Sequence, residues 1–192
     1  MSMIDYFRRK RFYHYNTPGH AHELTFWCLR HLRFFDDALA RDLFLQELSR
    51  ARISYRFKLF AYVIMPTHVH LVIGPSGQKY DIMRILNGVR SGFARRYRAA
   101  LREAAGGVNV WERGCGEDRN LWDAGSICDS IHYIEANPVR SFLADSPEEW
   151  QASSAYARWH KVGVIPDALV QESSVMTARL RRIGGIAVAA TL

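Results

Sequence analysis

FKLFAYVIMPTHVHLVI, residues 57–73, followed by the break GPSG at 74–77, is the stretch on which the fold turns. Two runs rich in β-branched and aromatic residues meet at Pro66-Thr67, which predicts adjacent strands over residues 57–65 and 69–73 joined by a tight turn. Successive strand side chains point to opposite faces. His68 and His70 therefore share one face, and Val69, Leu71 and Ile73 share the other. One face is built to pack and the other is left to bind.

Upstream of this hairpin, LTFWCLRHL at 24–32 reads as a first strand. Asp36 and Asp37 then open DDALARDLFLQELSRA, in which Leu39, Leu43, Phe44 and Leu48 recur at helical spacing behind acids that suit a helix N-terminus. Downstream, a second helix is predicted over residues 80–103, with Ile82, Ile85, Leu86, Val89, Phe93 and Tyr97 on one stripe and Arg84, Arg90, Arg95, Arg96, Arg98 and Arg102 on the other side. Gly106-Gly107 leads into VNVWERGCGEDRNLW, read as a short strand followed by a polar loop. A helix from about Ser126 to Asn137 is expected to end at Pro138, because the residue before proline disfavours helical dihedrals. Strand, helix, two strands, helix, strand and an extra helix is the order of an α+β, ferredoxin-like split βαβ sandwich with an antiparallel sheet. The division expected is an N-terminal arm over 1–22, a catalytic domain over 23–157 and a C-terminal tail over 158–192. SSAYARWH at 153–160 reads as a turn or short helix. ARLRRIGGIAVAATL at the end is readable as a loose tail or as a packed edge element.

The chain of 192 residues carries 26 Lys+Arg against 19 Asp+Glu, and all but four of its cations are arginine. That balance attracts polyanions, and planar guanidinium forks suit phosphate and base edges. A basic, aromatic arm containing Arg8, Arg9 and Arg11 adds to it. No segment approaches the roughly 18 uninterrupted apolar residues of a membrane span, and the basic start lacks the apolar stretch of a secretory signal. A soluble, cytoplasmic protein with no membrane partner is expected. Cys28, Cys115 and Cys128 form neither a CxxC pair nor an even disulfide set, which fits a reducing compartment.

Two constellations carry chemistry. Imidazoles at i and i+2 on a strand can address one divalent cation, although two hydrogen-bonded sheet histidines have the same spacing. In SIHYIEANPVR, residues 130–140, Tyr133 and Asn137 lie one helical turn apart on one face, and Glu135 points elsewhere. A phenol ordinarily ionises near pH 10, so a nucleophilic tyrosine here needs a cation to withdraw charge from the group it attacks. Taken alone, such a tyrosine equally fits a ring packed on the sheet.

Jointly, MPTHVHLVI resembles the HUH motif (histidine, hydrophobic residue, histidine), and YIEANPVR resembles the YI-x-x-NPV signature of the single-tyrosine HUH transposases. The resemblance is especially to the REP-associated tyrosine transposases, a subgroup of the IS200-like transposases, and it extends over about residues 20–157 through LTFWCLR, GFARRY and WQASSA. It implies that His68, His70 and Asn137 hold Mg²⁺ or Mn²⁺ and that Tyr133 is the nucleophile. The implied reaction cleaves single-stranded DNA beside hairpin (REP-like) sequences through a 5′-phosphotyrosine link. The implied partner is a single-stranded DNA hairpin, and a monomer is favoured over a homodimer. Arg8, Arg9, Arg11, Arg90, Arg95, Arg96 and Arg119 are the expected DNA contacts. The sequence departs from relatives at Thr67, before the first histidine, and in the loop WERGCGEDRNLW, where Asp118, Arg119 and Asn120 are candidates to touch DNA or metal. Two rivals stay open from the residues: a catalytically silent, domesticated module that binds hairpins in DNA or RNA, and a hydrolase whose metal activates water.

Overall fold

The computed structural model describes residues 14–101, 109–114 and 116–169. Its elements run β1 (Ala21–Trp27), α1 (Ala38–Ser54), β2 (Phe57–Met65), β3 (His68–Pro75), α2 (Ile82–Ala100), β4 (Glu117–Leu121), α3 (Ala124–Glu135), α4 (Asn137–Arg140) and α5 (Ser154–His160). The strands form one antiparallel sheet in the order β2-β3-β1-β4. This is the ferredoxin-like arrangement that the element order predicts.

Helices α1 and α2 cover one face. Phe26, Leu24, Leu59, Tyr62, Ile64, Val69, Leu71 and Ile73 of the strands meet Phe44 and Leu48 of α1 and Ile85, Val89 and Phe93 of α2 in a single core. Each helix starts at an aspartate whose carboxylate accepts from free amides of the first turn: Asp37 from Leu39 at 2.9 Å, Asp81 from Met83 and Arg84 at 2.9 and 3.2 Å. The predicted α2 stripe is buried as expected. The α1 stripe is rotated, because Ala40, Phe44, Glu47, Leu48 and Ala51 face inward and Leu39 is exposed. The two helices approach closely at Gly92, where an added Cβ would lie 2.0 Å from the Glu47 carboxylate.

On the opposite face, α3 lays Ile131 and Ile134 against Ala61, Val63, Met65, Val72 and Leu121. Beyond it the chain returns to β2, which would otherwise be a bare edge. Ile64 N–H donates to Ala152 O at 2.9 Å, Tyr62 N–H to Ser154 Oγ at 2.9 Å, and Trp150 Nε1–H to Ile64 O at 3.0 Å.

Three expectations need correction. The first strand begins at Ala21 and ends at Trp27, and residues 29–31 turn in a 3-10 helix with positive φ at Arg30 and His31. The fourth strand is Glu117–Leu121, inside the segment read as a polar loop, and the stretch before it contributes only a bridge between Cys28 and Trp111 among the described residues. Pro138 does not end helical structure: α3 stops at Glu135, and α4 restarts with Pro138 in its first turn, where a missing N–H costs nothing. Residue 22 lies within β1 and residue 157 within α5. The tail beyond residue 169 is outside the described residues. Among them, no helix is long and apolar enough to cross a membrane.

Candidate metal and nucleic-acid site

Antiparallel register fixes which residues share the histidine face. His70 stands opposite Thr25 on β1 and Val63 on β2; His68 stands opposite Trp27 and Met65. Val63 and Met65 also belong to the cluster under α3. Both histidines therefore point to the face of the sheet that the helix bearing Tyr133 covers.

The two imidazole rings stand edge to face with centroids 4.8 Å apart. His70 is buried, and its Nδ1 hydrogen-bonds to Thr25 Oγ1 at 2.8 Å. With that nitrogen engaged, Nε2 is buried without a hydrogen-bond partner. His68 is held in the same way through Nδ1, by Thr67 Oγ1 at 3.0 Å. Burial, reinforced by the neighbouring charge of His31, lowers the His68 pKa to about 4; burial and the charge of His68 lower that of His70 to about 3. Both rings are neutral at physiological pH, the form that coordinates metal. One ring nitrogen fixed by a hydrogen bond, with the other left bare, is the arrangement that orients a ligand histidine.

Among the described residues, no group of three or more His, Cys, Asp or Glu could hold a metal ion. A cation on these two imidazoles would need other oxygens, such as an amide and substrate phosphate. Asn137 is placed at the end of α3, where its Nδ2 donates to Tyr133 O at 3.1 Å and to Ile134 O at 3.3 Å. These bonds occupy the amide nitrogen on carbonyls of the last turn and leave Oδ1 as the oxygen able to face a cation. Tyr133 is 45% exposed, and the Arg140 guanidinium lies over its ring at 4.7 Å.

The helix that carries Tyr133 is locked to the sheet from two sides. Toward β1 and β4, Ser130 Oγ and the Arg119 guanidinium both donate to Glu23, and Arg119 donates to Ser130 Oγ at 3.2 Å. Toward β2, buried Glu135 accepts from Ser154 and from Arg158. Burial pushes the Glu135 carboxyl pKa up, against the pull of Arg158 and Ser154. The sequence gives little notice of these groups. Thr25 and Glu23 do stand out as polar residues alternating with Leu24 and Phe26, which marks the face turned away from the apolar core.

The expected DNA-contact arginines fall into different settings. Arg95 is exposed on α2. Arg96 forms an ion pair with Glu47 at 2.8 Å between α1 and α2. Arg90 donates to Gly114 O and Glu112 O at 2.6 Å and tethers the segment after Trp111. Arg119 is half-exposed at the β4 edge and paired as above. Arg8, Arg9 and Arg11 lie outside the described residues. Asp118 joins two imidazoles, His14 and His22, each at 2.7 Å, and His22 reaches Tyr80 OH at 2.8 Å. Beside it, exposed Tyr15 and Trp122 line a cleft with Thr17, His20, Arg119 and Asn120. Asp118 and Asn120 thus serve the sheet edge and this cleft.

No family model matches the chain, and no curated protein matches it. Among solved structures, the fold matches that of a REP-associated tyrosine transposase bound to a REP hairpin, with a TM-score of 0.66 and 15% identity over 83% of this chain and 94% of that one. A crystal structure of a candidate transposase from Deinococcus radiodurans R1 aligns at a TM-score of 0.44 and 22% identity, over 66% of this chain and 95% of that one. The first of these likenesses is one of fold.

Proposed function

We propose that this chain is a metal-dependent endonuclease and strand transferase for single-stranded DNA, of the REP-associated tyrosine transposase kind, acting as a monomer beside hairpin sequences. The observation that carries the reading is the histidine pair: two neutral imidazoles on one strand face, with His70 Nε2 buried and lacking any partner. Leaving a buried donor or acceptor unpaired costs on the order of 1–3 kcal/mol, which a ligand at that atom would recover.

His68 Nε2, His70 Nε2 and Asn137 Oδ1 are the atoms to hold Mg²⁺ or Mn²⁺. When bound, such an ion would withdraw charge from the scissile phosphate. The Tyr133 phenol gives its proton to water as its oxygen attacks phosphorus, the new O–P bond forms as the P–O3′ bond breaks, and the departing 3′ oxygen takes a proton from water. A 5′-phosphotyrosine and a free 3′-hydroxyl result. Reverse attack by a 3′-hydroxyl reseals the strand, because the covalent link conserves the phosphodiester energy. Arg140 keeps positive charge over the tyrosine ring and faces an arriving phosphate. Thr25 and Thr67 hold the imidazoles in one orientation. The exposed arginines and the Tyr15–Trp122 cleft supply backbone and base contacts for the hairpin.

A second reading, a hairpin-binding module without chemistry, draws on Asn137, whose amide nitrogen is already engaged at the end of α3. Incubation of end-labelled hairpin DNA with Mg²⁺, Mn²⁺ or EDTA separates the two. The proposal expects metal-dependent nicking with protein attached to the 5′ end of the downstream strand. Tight binding with intact DNA under every metal would establish the second reading.

A further inference from the structure

Three residues past the NPV signature, Phe142 is 95% exposed and adopts φ +56. Both features run against expectation for phenylalanine. A large apolar ring gains nothing from full contact with water, and the left-handed region penalises any side chain with a Cβ. The backbone there is tightly set: Phe142 N–H donates to Val139 O at 3.0 Å and Leu143 N–H to Pro138 O at 2.8 Å. These two bonds close α4 in a Schellman pattern, with Phe142 at the left-handed position that glycine ordinarily fills. Glycine would fill this position with less strain, and the ring supports no core.

The surroundings indicate what that is. Arg140, two residues earlier, lies over the ring of half-exposed Tyr133, so cation and aromatic faces are presented within one short segment. Of the acids that follow, Glu149 is turned back onto the Asp145 backbone amide at 3.2 Å. An exposed flat ring two residues along the chain from a guanidinium matches the chemistry of single-stranded nucleic acid, whose bases stack while its phosphates seek cations. We propose that Phe142 is a stacking platform for an unpaired base of single-stranded DNA, placed beside the tyrosine so that the strand is fixed next to the bond to be cut. This rests on the nucleic-acid reading of the site and adds to it a base-holding position.

Phe142→Gly tests it, because the substitution relieves the backbone and removes the ring. Affinity is measured for a thymidylate strand of about 15 nucleotides and for an abasic strand of the same length, with Tm and sedimentation recorded alongside. The expected result is a fivefold to hundredfold loss of affinity for the thymidylate strand, equivalent to about 1–3 kcal/mol. Abasic binding should be unchanged, Tm no lower than wild type, and Phe142→Trp should restore binding. Equal thymidylate binding by Phe142→Gly would overturn the platform and leave the nuclease reading intact. A wild-type protein that binds no single strand would overturn both. A wild-type dimer that Phe142→Gly turns into monomer would make the ring a self-association contact and overturn the proposal.

Discussion

Thr25→Val removes one hydroxyl from beneath the histidine pair and keeps the side-chain volume nearly constant. In the wild type, Thr25 Oγ1 and His70 Nδ1 are 2.8 Å apart, and both residues are buried. Valine leaves Nδ1 without a partner on a ring whose Nε2 already has none. Stranding a buried polar atom costs about 1–3 kcal/mol. When Nδ1–H donates to Thr25, Nε2 bears the lone pair; without that bond the tautomer and the ring angle are no longer set. Loss of such a supporting partner lowers metal affinity about 10–100-fold. Urea unfolding in EDTA measures the first effect, and Mn²⁺ titration of the folded protein measures the second. Thr67→Val is the control, since Thr67 is only part-buried and water can replace its bond to His68. A Thr25→Val protein within about 0.5 kcal/mol of wild type and with undiminished Mn²⁺ affinity would refute the assignment of Thr25 as the residue that orients His70.

Metal-free stability should fall as pH drops below the unfolded histidine pKa near 6.5, because the unfolded chain then binds protons that His68 and His70, at about 4 and 3, refuse. With two such groups the slope approaches about 2–3 kcal/mol per pH unit between roughly pH 6 and 4; the double variant His68→Gln/His70→Gln should flatten it in urea titrations, and an unchanged slope would contradict the burial argument. Burial pushes the Cys28 thiol up to about 12, so iodoacetamide at pH 8 should label part-buried Cys128 and spare Cys28, as read by peptide mass spectrometry. Glu135→Ala leaves Ser154 and the Arg158 guanidinium without their shared carboxylate and should lower stability by about 2–4 kcal/mol, with Glu135→Gln losing less because its amide can still meet Ser154; equal losses would show that the carboxylate is not the tie between α3 and α5.

The hairpin and α2 were legible because their residues agree at every level: β-branched runs end at Pro66 and Gly74, and the α2 stripe has helical period throughout. β4 was not, since EDRNL has the composition of a loop. It becomes a strand because β1 offers an open edge and because Asp118 and Asn120 find imidazole partners in His22, His14 and His20. Tertiary pairing there outweighs local propensity. The start of β1 was hidden for the same reason, as buried His22 looks like arm until Asp118 and Tyr80 are beside it. At the site, spacing alone put His68 and His70 on one face and Tyr133 with Asn137 on another element. What spacing could not convey is that Arg96 and Arg90 hold protein rather than face solvent, or that Thr25 supports His70 from a strand whose sequence distance is 45 residues. Such pairings depend on strand register.

The most direct measurement is mass spectrometry of a tryptic digest after reaction with hairpin DNA and Mn²⁺, followed by nuclease trimming. The fragment spanning residues 120–140 is expected to carry a nucleotide phosphate on Tyr133, absent in EDTA and in Tyr133→Phe. Nicked DNA accompanied by an unmodified fragment would contradict the covalent tyrosine mechanism.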